Sequence, residues 1–166
     1  TASAASGNYA MVGSVPIKNA SRQTLDTAAL ADGSFSAALS EQAPQVLIVH
    51  THGSEAYTMP AGEEYAATGS FRTDDATRSV VRVGDEIAAV LSSYGISVLH
   101  DRTLHDSPSY NGAYARSLTS IEGYLEKYPS LSFVLDVHRD AVQDASGQQY
   151  KLVSREEPHA AQISLV

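Results

Sequence analysis

Three short apolar runs in this chain each lead directly into a histidine, and this repetition constrains the fold more than any other feature. Val46-Leu47-Ile48-Val49 runs into His50-Thr51-His52, Ile96-Ser97-Val98-Leu99 into His100-Asp101, and Phe133-Val134-Leu135-Asp136-Val137 into His138-Arg139-Asp140. A brief, nearly continuous apolar run is the pattern of a strand covered on both faces. Between the first two runs, Val80, Val83, Gly84, Ile87 and Leu91 recur at helical spacing and stop at Tyr94-Gly95, where glycine signals a C-cap. Between the second and third, Tyr114, Leu118, Ile121, Leu125 and Tyr128 mark another helix, ended by Pro129. The resulting β-α-β-α-β order predicts an α/β fold in three layers with a mainly parallel sheet, because both crossovers are long enough for parallel pairing. Ligands of open α/β sheets gather beyond the carboxyl ends of the strands. The sequence therefore lines polar chemistry along one edge.

The rest of the chain sets limits. Residues 1–44 are rich in Ala and Ser and hold only five formal charges, Lys18, Arg22, Asp26, Asp32 and Glu41. They read as a linker or N-terminal arm, with residues 45–166 as the functional domain. The first six residues include no Met and no basic segment, so they look like a trimmed start rather than a signal peptide. No run approaches the ~18 apolar residues of a membrane span. Any anchor is expected upstream. A net charge of −8 argues against nucleic acid as a partner, which needs a positive face. With no Cys in the chain, a transition metal would have to be held by His and carboxylates. There is no P-loop, G-x-G-x-x-G or G-x-S-x-G, so nucleotide binding and serine-esterase chemistry lack support.

His52-Gly53-Ser54-Glu55 is an H-x-x-E element on the turn after the first run. An imidazole and a carboxylate three residues apart on a tight turn can converge on one ion, and His138 supplies a third ligand from a neighbouring strand end. Two His and one carboxylate are the protein ligands of hydrolytic zinc, with a fourth position left for water. Asp75, just before the first helix, rivals Glu55 for the carboxylate place. Whichever of Glu55 and Asp75 does not bind metal is the candidate base. One of Asp74 and Asp75 is also expected to cap that helix. His50 is expected to pack or to support a ligand rather than bind the ion. The pairs His100-Asp101 and His105-Asp106 are expected to point apart rather than form dyads. Tyr114 reads as core, and Asn111, Arg116 and Arg139 are candidate substrate contacts.

These motifs resemble one family. His50-Thr51-His52-Gly53-Ser54-Glu55-Ala56-Tyr57, Arg72-Thr73-Asp74-Asp75 and Val80-Val81-Arg82-Val83-Gly84-Asp85-Glu86 are similar to the bacterial stage II sporulation protein P. So are Pro108-Ser109-Tyr110-Asn111-Gly112-Ala113-Tyr114-Ala115-Arg116-Ser117-Leu118 and Asp136-Val137-His138-Arg139-Asp140-Ala141. The resemblance runs in order over about residues 45–142.

The resemblance implies a membrane-anchored, extracytoplasmic cell-wall hydrolase acting during engulfment of the forespore. It implies cleavage of the amide between N-acetylmuramic acid and L-alanine, and of cross-links between stem peptides, with peptidoglycan as substrate and Zn²⁺ as cofactor. It also implies a fold like that of the zinc N-acetylmuramoyl-L-alanine amidases and a lytic transglycosylase partner, stage II sporulation protein D. On this pattern His52, His138 and the motif carboxylate Glu55 match the site, while Asp75 falls where zinc amidases place their carboxylate ligand. Those amidases carry a late glutamate base, and nothing after His138 matches it. The expectation is thus a partial domain with an incomplete sheet, an exposed edge strand and slow cleavage at most. The alternative is a non-catalytic amidase-like module that binds peptidoglycan or a partner.

Overall fold

In the computed structural model, residues 9–19, 22–33, 36–39, 41–151, 153–159, 161 and 163 are described. The chain forms two compact units, residues 1–39 and 40–166. The first holds an antiparallel hairpin, β1 (Tyr9–Val12) and β2 (Val15–Lys18), and a short helix, α1 (Thr27–Ala31). The Asp26 carboxylate caps α1 by accepting from the amides of Ala28 and Ala29.

The second unit is the α/β domain. Its elements are β3 (Val46–Val49), α2 (Val80–Ser93), β4 (Val98–His100), α3 (Ala113–Lys127) and β5 (Phe133–Asp136). The sheet is parallel in the order β4-β3-β5, with Leu47 opposite both Leu99 and Val134. As the central strand, β3 is buried along its whole length, which explains its unbroken apolar run. A small hairpin follows β5, made of β6 (Val142–Gln143) and β7 (Gln149–Tyr150).

The two helices lie against opposite faces of the sheet. Successive residues leaving a strand point to opposite sides. Beyond β3, His50 meets α2 at Gly84, where any Cβ would lie 2.6 Å from its Nε2. The next residue, Thr51, meets α3 through a 2.7 Å hydrogen bond between its hydroxyl and that of Ser117. Helix α2 packs on β3 and β4 and is capped by Ser79, whose hydroxyl accepts from the Val81 amide. The cap is therefore neither Asp74 nor Asp75. At the other end Gly95 adopts φ +75°, as the Tyr94-Gly95 stop signal requires. The edge strand β5 is exposed along its length, with Phe133 at 42 % and Val134 and Leu135 at 38 %.

Candidate metal centre

Beyond β3 the chain turns sharply through His52-Gly53-Ser54-Glu55, closed by a hydrogen bond from the Glu55 amide to the His52 carbonyl. Gly53 is needed because a Cβ there would meet Leu104, 2.8 Å from its Cδ2 and 3.3 Å from its Cα. Past the turn the backbone is clamped. Glu55 bridges Arg72 and Ala56 bridges Ser79, and the Val80 amide, first in α2, donates to the Glu55 carbonyl. His138 arrives from β5, whose end is tied to β3 by the Val137 amide donating to the Val49 carbonyl.

These elements bring His52, Glu55 and His138 together, with one ligand atom from each lying within 4.8 Å of the others. Glu55 Oε1 is 3.8 Å from His52 Nδ1, and Oε2 is 3.6 Å from His138 Nδ1. Both separations are too long for hydrogen bonds. They are close to the ~3.4 Å between two tetrahedral ligands with bonds of about 2.1 Å. A buried carboxylate poised between two imidazoles, bonded to neither, has the donor set and the spacing of a cation site. Burial lowers the pKa of His52 despite the Glu55 charge, so its imidazole is neutral and able to ligate at pH 7.

The surrounding groups set the direction of the ligands. His138 Nε2 lies 3.0 Å from Asp136 Oδ2. Donation of Nε2–H to Asp136 leaves the Nδ1 lone pair facing Glu55, the carboxylate–histidine arrangement of metal sites. Asp136 is itself fixed by the amide of Thr51 at 2.8 Å and its hydroxyl at 2.7 Å. Burial pushes its pKa up, but these donors and His138 outweigh it and the net shift is downward. Glu55 Oε2 accepts from the Arg139 amide at 2.7 Å. Oε1 is 3.7 Å from Arg72 Nη2.

Arg72, half-buried, and the buried Asp106 form a second brace that the sequence alone does not mark. Arg72 donates to Asp106 at 2.7 Å and to the Ser54 hydroxyl at 3.1 Å, and Asp106 accepts from the Ser54 amide and hydroxyl. The guanidinium also lies 4.9 Å from the Tyr110 ring centroid. Tyr110 in turn stacks on the His52 ring at 4.5 Å. Tyr114 is not in the core. It is 64 % exposed and sets its ring against both imidazoles, edge-on to His52 at 5.2 Å and stacked on His138 at 6.4 Å. At the head of α3, it walls the metal group instead of packing beneath the helix.

Other candidates fall elsewhere. Asp75 is exposed, and its carboxylate accepts from the amide and hydroxyl of Thr77 within its own turn. It does not join the metal group. Arg116 spends its guanidinium on the carbonyls of His105, Ser109 and Asn111. It braces the loop that carries Tyr110, and Asn111 contributes a backbone carbonyl to that brace. The Arg139 Nε is buried and has no hydrogen-bond partner among the described residues. His50 is fully buried. Its Nδ1–H donates to the Val137 carbonyl at 2.9 Å, leaving Nε2 to accept from His100 Nε2 at 2.8 Å. It thereby joins the strand ends that carry the two metal-group histidines. The adjacent His-Asp pairs do separate. His100 faces Asp85, His105 faces Asp101 at 3.3 Å, and Asp106 turns to Arg72.

The family model described as stage II sporulation protein P matches residues 9–166. No curated protein and no solved structure matches the chain.

Proposed function

Because the chain belongs to the stage II sporulation protein P family, we propose that it is a zinc-dependent peptidoglycan hydrolase. In this reading it cuts the amide between N-acetylmuramic acid and L-alanine, and cross-links between stem peptides, during engulfment. Family membership by itself assigns the chain to sporulation. The finer reading is carried by the buried Glu55 carboxylate set between His52 and His138, bonded to neither.

These three residues would hold Zn²⁺. Bound zinc would polarise an amide carbonyl and lower the pKa of a water to ~7. The protein's own groups do the positioning. Asp136 fixes the His138 tautomer, and Tyr110 and Tyr114 fix the ring planes. The Arg139 amide and Arg72 hold the Glu55 carboxylate in place. Among the described residues Glu55 is the carboxylate of the group, so with Glu55 on the metal the group holds no second carboxylate to serve as a separate base. Asp75, committed to Thr77, has no part in this reading.

Among the described residues no helix is long and apolar enough to cross a membrane. An extracytoplasmic location, an anchor outside this chain and a lytic transglycosylase partner like stage II sporulation protein D complete the proposal. A second reading, a non-catalytic module that binds peptidoglycan or a partner, has one observation in its favour. Glu55 is already engaged by Arg139 and Arg72, and no further carboxylate joins the metal group among the described residues.

A zinc titration followed by digestion of purified muropeptides separates the two. The expected result is one zinc per chain, lost by orders of magnitude in affinity in His138→Ala, together with release of free stem peptides. Stoichiometric zinc without release would leave the binding module. Full zinc retention in His138→Ala would remove the site.

A further inference from the structure

Two concave surfaces are lined by residues near the metal group in the chain, Ser54 in one and Tyr57 in the other, and their chemistries differ. One lies on the His52 side, a cavity of about 290 Å³ lined by Arg72, Asp74, Asp106 and Tyr110 among others. It is rich in charge. The other, of about 390 Å³, is lined mainly by apolar and aromatic side chains, among them Tyr57, Met59, Tyr65 and Phe71, with Thr58 and Glu64 adding polar groups. Both volumes fall near or within the range of ligand pockets.

The second cavity is joined to the metal group by the backbone. Tyr57 follows Glu55 by two residues on a segment bridged to the 69–79 loop. Phe71 neighbours Arg72, the residue opposite Glu55. It is also the one non-glycine residue with positive φ, +51°, among the described residues. An aromatic residue in that region costs of order 1 kcal/mol or more and persists where surrounding contacts hold it, most often at ligand sites. The Ala56 amide donates to the Phe71 carbonyl, which pins the turn. The turn thus places one side chain at the metal group and the next in the cavity.

We propose that this aromatic cavity is the sugar subsite, taking the uncharged pyranose ring on the glycan side of the scissile amide. The assignment rests on the peptidoglycan reading given above and adds an orientation to it. Aromatic rings cover the aliphatic face of a sugar while hydroxyl and carboxylate groups at the rim bond its hydroxyls. Glu64 favours sugar over stem peptide as the occupant. Its carboxylate is exposed, and the Gly62 amide holds it below the usual range, so it stays ionised. It therefore repels the carboxylates of a stem peptide and still accepts from sugar hydroxyls.

The test is binding rather than cleavage, on the whole metal-free chain, so that nothing is hydrolysed. Muramyl dipeptide and the same dipeptide without sugar are titrated separately, with aromatic-ring resonances followed by NMR. The expected result is that muramyl dipeptide shifts the rings of Tyr57, Tyr65 and Phe71 and the free dipeptide leaves them unmoved. Tyr65→Ala should raise Kd about tenfold while zinc stoichiometry, measured in parallel, stays at the wild-type value. Phe71→Ala also relieves the strained turn, so Tyr65→Ala carries the conclusion. Equal shifts from the free dipeptide would make the cavity a peptide subsite and overturn the proposal. No shift from either probe would overturn it too, while retained zinc binding would leave the metal reading standing.

Discussion

Glu55 sits on a segment paired to Arg72 and anchored by the Val80 amide, so its carboxylate has a fixed direction. Asp75 lies in a turn that consumes its own carboxylate. Sequence spacing leans only slightly to Glu55, because it counts residues and not hydrogen bonds, and the amidase resemblance pulls towards Asp75. Glu55→Gln is therefore expected to lose zinc by orders of magnitude and Asp75→Asn to keep it, by metal analysis of dialysed protein. Equal retention in both would remove the two-His-one-carboxylate site. Asp136→Asn tests the support behind His138. An amide in place of the carboxylate weakens the hold on Nε2–H, and such changes lower metal affinity about 10–100-fold. Zinc competition with a chelator reads that directly. Wild-type affinity in Asp136→Asn would mean that the strand end, tied by Val137 to Val49, holds His138 unaided. The candidate ligands were legible because His52 and His138 follow apolar runs. Arg72 and Asp106 were not, because each lies in a polar loop whose pairing partner is 34 residues away.

At the scale of elements, β3, α2, β4, α3 and β5 lie where the apolar periodicity places them, with α2 ending at Tyr94-Gly95 and α3 before Pro129 as their stop signals require. The α3 repeat is not its buried face, however, since Leu118 and Leu125 are exposed and Ala113 and Ser117 are buried. The hairpin of β6 and β7 has no signature in the sequence, since its two-residue strands carry no period. It is organised by one side chain, Asp144, which accepts from Ser146, Gln148 and Tyr150. Tyr114 misled because its place in the α3 repeat says core, whereas the first turn of α3 overhangs the metal group and exposes it. Periodicity also explains Gly84 only in part. Its position on the buried face of α2 is legible, but its need to be glycine is not. A Cβ there would fall 2.5 Å from His100 Nε2 and 2.6 Å from His50 Nε2. Both rings are hydrogen-bonded to each other and cannot swing away freely. Gly84→Ala is expected to destabilise the protein by about 1–3 kcal/mol through overpacking, seen as a lower denaturant midpoint. Leu118→Ser, on an exposed site of α3, should stay within about 0.5 kcal/mol.

For the molecule as a whole, the buried imidazoles set how stability responds to acid. Burial lowers the pKa of His50 and of His52, outweighing the groups that raise them, among them the Val137 carbonyl and the Glu55 charge. In the unfolded chain these groups return to about 6.5. Below that pH the unfolded state binds protons that the native state refuses, so stability falls as pH falls and rises again as pH climbs through 6.5. The carboxylate shifts, downward for Asp136 and Asp85, act in a separate and more acid window, below about 4. The metal-free protein should therefore lose melting temperature between pH 7 and pH 5, before its carboxylates titrate. Zinc should deepen that dependence, because protons and metal compete for the same imidazoles. At a free zinc concentration of about 100 Kd the gain is about 2.7 kcal/mol at neutral pH, and it should vanish toward pH 5. All of these groups lie in the compact unit of residues 40–166. A chain beginning at Ser40 is accordingly expected to show the same zinc affinity and the same acid profile, by calorimetry with and without metal. A loss of zinc affinity on removing residues 1–39 would mean that the hairpin of β1 and β2 supports the site, and that the two units do not act independently.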